Sequence, residues 1–121
     1  MKGKTRVLVV DDDAGTCETL SDILLETTCQ VTMARDGFEA IEKMKGESFD
    51  VVLMDIKMPG INGVETYKEM KKINPEAKVV MMTAYVGDDL VAEALKEGAS
   101  TVLYKPLDIG KMIDIIKGKS T

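Results

Sequence analysis

Apolar positions along the chain fall into two alternating rhythms. Unbroken runs form the first: Val7-Leu8-Val9-Val10, Val51-Val52-Leu53-Met54 and Val79-Val80-Met81-Met82, with more diluted ones over Cys29–Ala34 and Thr101–Tyr104. Short runs bounded by polar residues predict strands, here over 6–10, 29–34, 50–54, 78–82 and 101–104. The dense ones lack in–out alternation, which predicts burial on both faces. After each run the apolar spacing changes to every third or fourth position. Cys17, Leu20, Ile23 and Leu24 make one such stripe; Phe38, Ile41 and Met44 a second; Val64, Tyr67, Met70 and Ile73 a third. Leu90, Ala94 and Leu95 make the fourth, and Ile109, Met112, Ile113 and Ile116 the fifth. Each stripe predicts an amphipathic helix. Five strands alternating with five helices require right-handed crossovers. The expected fold class is therefore α/β: a doubly wound, five-stranded parallel sheet with helices on both faces.

Turn-forming residues set the boundaries. Asp36-Gly37 and Asn62-Gly63 both fit two-residue hairpin turns, but a helical stripe follows each, so both are read as helix starts. Asn74-Pro75 ends the third helix, because a residue before proline avoids the helical region; Gly98 stops the fourth. Asp13 is a predicted N-cap, Asp50 a turn residue, and Asp88-Asp89 an acidic first turn favoured by the helix dipole. Lys71-Lys72 reads as a solvated face, and residues 117–121 as a polar tail.

Composition narrows the function. A chain of 121 residues, 45% hydrophobic and 31% charged, is expected to fold as one domain over 1–121. Lys+Arg 16 against Asp+Glu 21 gives a net charge of −5, which argues against nucleic acid or an anionic membrane as a direct partner. No run approaches the roughly 20 apolar residues of a membrane span, and Met1 to Thr5 leads straight into a strand, with no secretory signal. Cys17 and Cys29 lack CxxC spacing and read as buried thiols, which places the chain in a reducing cytoplasm. Histidine is absent. That excludes a Ser-His-Asp triad, a phosphohistidine and a His-ligated zinc, and leaves hard, oxygen-bound cations as the expected metals.

In a parallel sheet the residues just past each strand share one edge, where open α/β folds place ligands. Strand one delivers Asp11 and Asp12, strand three Asp55, strand four Thr83 and strand five Lys105. Carboxylates crowded together repel; two unit charges 4 Å apart cost about 4 kcal/mol at an effective dielectric near 20. Mg2+ suits such a site, since it takes one or two carboxylates and leaves room for phosphate oxygens. Phosphoryl transfer asks a protein chiefly for positioning and charge stabilisation. Asp55 is then the nucleophile, Asp11 and Asp12 the metal ligands, Lys105 and Thr83 donors to phosphoryl oxygens. Backbone N–H groups after Asp55 and Thr83, that of Ala84 among them, complete the cradle. The Lys57 and Ala84 side chains are expected to tune phosphate lifetime through water access.

The segments VLVVDDD, VVLMDIKMPGING, VVMMTAY and VLYKP, in that order and spacing, resemble a bacterial two-component response-regulator receiver domain over nearly the whole chain. The resemblance implies a flavodoxin-like sheet of order 2-1-3-4-5, Asp55 as phosphoacceptor, and Mg2+ or Mn2+ held by Asp11, Asp12, Asp55 and the Lys57 backbone carbonyl. It implies Thr83 as a switch hydroxyl, Lys105 paired with Asp55 or its phosphate, and a cis Lys105-Pro106 bond. The partners it implies are a sensor histidine kinase or phosphotransfer protein as donor and a downstream output domain or effector, with homodimerisation on phosphorylation possible. The responsive face is that of helix four, strand five and helix five. Such a chain is not an enzyme on other molecules; it catalyses only its own phosphorylation and autodephosphorylation. One departure stands out: the family's inward-turning aromatic, three residues before the lysine, is Val102 here. Tyr104 or Tyr85 is expected to take over part of its role.

Other classes fit less well. An aspartyl-phosphate phosphatase or mutase of the haloacid-dehalogenase type wants an acid two residues after its nucleophile, where Lys57 stands. A flavodoxin-like electron carrier wants ring-stacking aromatics and a phosphate loop after strand one, where three carboxylates stand. A docking module without phosphorylation leaves the full constellation unexplained.

Overall fold

The computed structural model describes residues 4–118; the outer part of the predicted tail, 119–121, lies outside the described residues, as do residues 1–3. Its elements, in order, are β1 (Thr5–Val10), α1 (Ala14–Leu25), β2 (Cys29–Ala34), α2 (Gly37–Gly46), β3 (Val51–Asp55), α3 (Gly63–Ile73), β4 (Lys78–Thr83), α4 (Asp89–Glu97), β5 (Thr101–Tyr104) and α5 (Ile109–Ile116). All strands run parallel in the order β2-β1-β3-β4-β5. The α/β class, the strand order and the flanking helices agree with expectation.

Side-chain alternation along the strands sorts the core into two layers. Leu8, Val10, Val52, Met54, Val79 and Met81 point to one face, where Ala40, Met44, Val64, Tyr67, Met70 and Ala94 of α2, α3 and α4 cover them. Val7, Val9, Val51, Leu53, Val80, Met82 and Leu103 point to the other, under Cys17, Leu20 and Leu24 of α1 and Met112, Ile115 and Ile116 of α5. Leu8, Leu53, Met54 and Met81 are fully buried, each contributing about 2 kcal/mol of apolar burial.

Both ambiguous Gly pairs open helices. The Asp36 carboxylate accepts from the Glu39 N–H at 2.8 Å. Asn62 and Glu65 form a reciprocal capping box, each side chain accepting the other's backbone N–H at 2.9 Å. Asn74 ends α3 with φ −142° and ψ 86°, and Gly98 ends α4 in the left-handed region at φ 114°.

Several expectations need correction. Of the stripe along α2, Met44 is buried as expected, but Phe38 is 57% exposed and Gly37 and Ala40 face inward in its place. Leu95 and Ile73 are also substantially exposed. Asp13 occupies the N-cap position of α1, yet its carboxylate takes the Thr16 hydroxyl at 2.6 Å and no helix N–H. Strand three begins at Val51; Asp50 precedes it and accepts the Arg6 N–H at 2.8 Å. Lys71 is not simply solvated, since its ammonium holds the Glu97 carbonyl at 2.7 Å and its carboxylate at 3.0 Å. Asp88 lies before α4 as its N-cap, accepting from the Leu90 N–H at 2.8 Å.

Candidate functional site

The carboxyl edge of the sheet collects the predicted residues. Asp11 follows β1 and is fully buried. Its N–H donates to the Ala34 carbonyl, its Oδ1 accepts from the Asp13 N–H at 2.9 Å, and its carbonyl accepts from the Cys17 thiol at 3.2 Å. These contacts aim the Asp11 carboxylate at β3. Asp12 beside it is exposed. Asp55, the last residue of β3, turns its Oδ1 to the Lys57 N–H at 3.3 Å. One carboxylate oxygen from each of Asp11, Asp12 and Asp55 lies within 4.8 Å of the others.

The chain after Asp55 turns back tightly. Gly63 donates its N–H to the Ile56 carbonyl at 2.7 Å, and a Cβ at Gly63 would stand 2.6 Å from the Asp55 carbonyl oxygen. Only glycine allows α3 to start against the end of β3.

Lys105 follows β5, ahead of a cis bond to Pro106, as expected. Its N–H donates to the Thr83 carbonyl at 2.8 Å. Its ammonium lies 2.8 Å from Asp11 Oδ2 and 3.2 Å from Asp55 Oδ2, bridging the two. Burial pushes the Asp55 carboxyl above its ordinary range; Lys105 opposes this and the Asp11 charge reinforces it. Burial acts to lower the Lys105 pKa, but the hydrogen bond to Asp11 and the charges of Asp55 and Asp11 together hold it above its usual range. Three carboxylates against one ammonium leave negative charge in excess. An all-oxygen donor set of this kind fits a small, hard divalent cation.

Thr83 ends β4 one register step beyond Met82, the partner of Asp55. It is 1% exposed, and its Oγ1 accepts the Tyr85 N–H at 3.0 Å. Ala84 is exposed in the loop that follows. Val102 is half-buried against the layer under α2, α3 and α4. Tyr104 and Tyr85 are 42% and 56% exposed, so neither ring is turned inward in this structure.

The Lys57 side chain does something no sequence signal announced. Its ammonium sits 2.9 Å from Asp88 Oδ2 and 4.6 Å from the centre of the Tyr85 ring. The contact joins the loop after β3 to the loop after β4, and pairing between loops leaves no local pattern. The hydrogen bond to Asp88 raises the Lys57 pKa, and the same bond lowers that of Asp88. A shallow apolar groove of about 400 Å³ was likewise unforeseen. It runs beside the acidic hollow, between Thr16 and Leu20 of α1 and Pro106, Leu107 and Ile109.

Comparison with known proteins agrees with this geometry. Residues 7–117 match the response regulator receiver domain family. The chain is 45% identical over 106 residues to the transcriptional regulatory protein ZraR of Klebsiella oxytoca, covering 88% of this chain and 24% of that protein. It is 38% identical over 112 residues to the chemotaxis protein CheY of Thermotoga maritima, covering 92% and 93%. Sporulation initiation phosphotransferase F of Bacillus subtilis is 36% identical over 112 residues, covering 93% and 90%. The chain thus spans about a quarter of the transcriptional regulator and nearly all of the other two. Among solved structures, a CheY-like receiver domain protein from Methanospirillum hungatei superposes with a TM-score of 0.91 at 29% identity, covering 96% and 93%. With sheet order, strand-end chemistry and family match in agreement, the chain belongs to the response regulator receiver domain family.

Proposed function

We propose that residues 1–121 work as one phosphorylation-dependent signalling switch whose acceptor is Asp55. The donor in this reading is a phosphohistidine on a sensor kinase or phosphotransfer protein. An Asp55 carboxylate oxygen attacks phosphorus, the phosphorus–nitrogen bond to the imidazole breaks, and the nitrogen keeps the bonding pair. An acyl phosphate results on Asp55. Water later cleaves it, so the chain catalyses its own phosphorylation and dephosphorylation and no other reaction.

The observation that carries the reading is the Lys105 ammonium bridging Asp11 and Asp55 beside Asp12. This arrangement holds Asp55 in place and supplies a charge-assisted donor to an incoming phosphoryl oxygen. Asp11, Asp12, Asp55 and the Lys57 carbonyl would hold Mg2+ or Mn2+, which when bound neutralises phosphoryl charge. Asp11 stays put through the process, because its own backbone and Oδ1 contacts fix it. Thr83 Oγ1 accepts from Tyr85, and a hydroxyl retains a hydrogen to donate to a phosphoryl oxygen. The Ala84 N–H serves as a further donor. The apolar groove along α1 offers a partner an apolar footing beside Lys105.

The output face is that of α4, β5 and α5, where exposed Leu95 and Tyr104, with Val86 in the loop before α4, await an output domain, an effector or a second copy of the chain. No described helix is long and apolar enough to cross a membrane. The two cysteines are free and buried, which suits the reducing cytoplasm. Acetyl phosphate with Mg2+ tests the proposal by intact-mass measurement. The parent should gain the mass of one phosphoryl group and lose it to hydroxylamine, and Asp55→Asn should gain none. Equal uptake by Asp55→Asn overturns it.

A further inference from the structure

We propose that Asp88 is a positioning residue that competes with the phosphoryl group for the Lys57 ammonium, so that charging Asp55 loosens the loop that leads into α4. The proposal rests on the phosphoacceptor reading of Asp55. Lys57 connects the two places directly. Its backbone N–H reaches Asp55 Oδ1 at 3.3 Å, and its ammonium reaches Asp88 Oδ2 at 2.9 Å. The Asp88 carboxylate is divided in turn: Oδ2 takes Lys57, and Oδ1 caps α4 through the Leu90 N–H at 2.8 Å. The intervening loop hangs between this carboxylate and the Thr83 hydroxyl, which takes the Tyr85 N–H. Apart from those attachments the loop is open to solvent, with Val86 83% exposed.

As an acyl phosphate Asp55 carries a charge of about −1.5 to −2 in place of the carboxylate's −1, beside the backbone of Lys57. Lys57 has one positive charge to offer, on a flexible stem that leaves its side chain 48% exposed. The more highly charged, acceptor-rich phosphoryl group outcompetes a single carboxylate for it. Asp88 then loses its ion-pair partner and Tyr85 its cation, while the Oδ1 cap remains. The loop keeps its hold on Thr83, whose hydroxyl is itself claimed by the phosphoryl group. Losing the Lys57 contact loosens a segment with few buried contacts, the kind that opens at low free energy. In this chain, where Val102 replaces an aromatic on β5, the Lys57–Asp88 contact supplies a separate route from the acceptor to α4. By reciprocity, an Asp88 variant must change affinity at Asp55.

Beryllofluoride, a phosphoryl mimic, tests this in the presence of Mg2+ by calorimetric titration of the intact chain. Asp88→Asn retains an N-cap acceptor but no charge, and should bind the mimic about threefold more tightly, the scale of one exposed ion pair. Asp89→Asn removes the same charge one residue along and should leave affinity unchanged. In a Lys57→Gln background the Asp88→Asn gain should vanish. Amides 86–88 of the parent, between the Tyr85 and Leu90 attachments, should exchange hydrogen faster once the mimic is bound, and those of Asp88→Asn should be fast beforehand. Unchanged affinity in Asp88→Asn, an equal gain in Asp89→Asn, or a gain that survives in Lys57→Gln overturns the competition while leaving the acceptor reading standing. A parent that binds no beryllofluoride at all removes the acceptor reading and the competition together.

Discussion

Burial raises the Asp55 pKa, Asp11 adds to the effect, and the opposing pull of Lys105 does not cancel it. Well below the ordinary carboxyl range, folded and unfolded chains are both protonated there and the group is neutral in its effect. As pH rises the unfolded chain ionises first, so stability is lost on the way to neutrality. Asp55→Asn, measured without divalent metal, should therefore raise the urea midpoint at pH 7 and leave it almost unchanged at pH 3.5; equal gains at both pH values would refute the assignment. Gly63 is the second residue whose identity is dictated by the site. A Cβ there would meet the Asp55 carbonyl oxygen at 2.6 Å and Ile56 Cα at 2.9 Å, both backbone atoms. Gly63→Ala should cost about 1–3 kcal/mol in urea unfolding, the usual range for overpacking, and should weaken Mg2+ binding by displacing Asp55. At this scale the strand-end residues were legible because topology alone delivers them to one edge. The Lys57–Asp88 pair was not, because it depends on how two loops lean together.

Every helix and strand appears where the apolar spacing placed it, with strand boundaries moved by a residue, because central strands such as Val51–Asp55 are buried on both faces and leave an unbroken signature. Which face of a helix turns inward was less legible. A Cβ on Gly37 would lie 2.1 Å from Thr66 Oγ1 and 2.7 Å from an Ile61 carbon. So close an approach of α2 to α3 and its leading loop requires glycine and alanine at the contact, and rotates Phe38 outward over Gly60. Periodicity counts the apolar residues of a helix; the size of its neighbour decides which of them are covered. Helix starts were legible through their caps, and the capping box of α3 has a further consequence. Asn62→Ala removes the acceptor for the Glu65 N–H and should cost about 1 kcal/mol. Since α3 begins where the loop after Asp55 ends, hydrogen exchange should rise at 62–66 and leave α5 unaffected; a uniform rise across the chain would show that α3 frays only with global unfolding.

For the molecule as a whole, a net charge of −5 disfavours the compact state through self-repulsion, and part of that charge is concentrated at one edge of the sheet. Any salt would relieve a diffuse excess, whereas a site built from Asp11, Asp12 and Asp55 should respond to a divalent cation far beyond its ionic strength. A ligand bound only by the folded state stabilises it by about 2.7 kcal/mol at a hundredfold excess over its Kd, equivalent to a Tm increase of roughly 10 °C for a domain of this size. Mg2+ should produce a shift of that order, and NaCl of matched ionic strength only a small one. Asp12 is the residue on which to test the difference, because it is exposed and makes no contact with Lys105, whereas Asp11 and Asp55 are tied to that ammonium. Asp12→Asn should thus leave metal-free stability close to that of the parent and abolish most of the Mg2+ shift. If NaCl matched the effect of Mg2+, or if Asp12→Asn kept the full shift, the acidic edge would be acting as a diffuse surface charge, and the case for a coordinated cation beside Asp55 would fall with it.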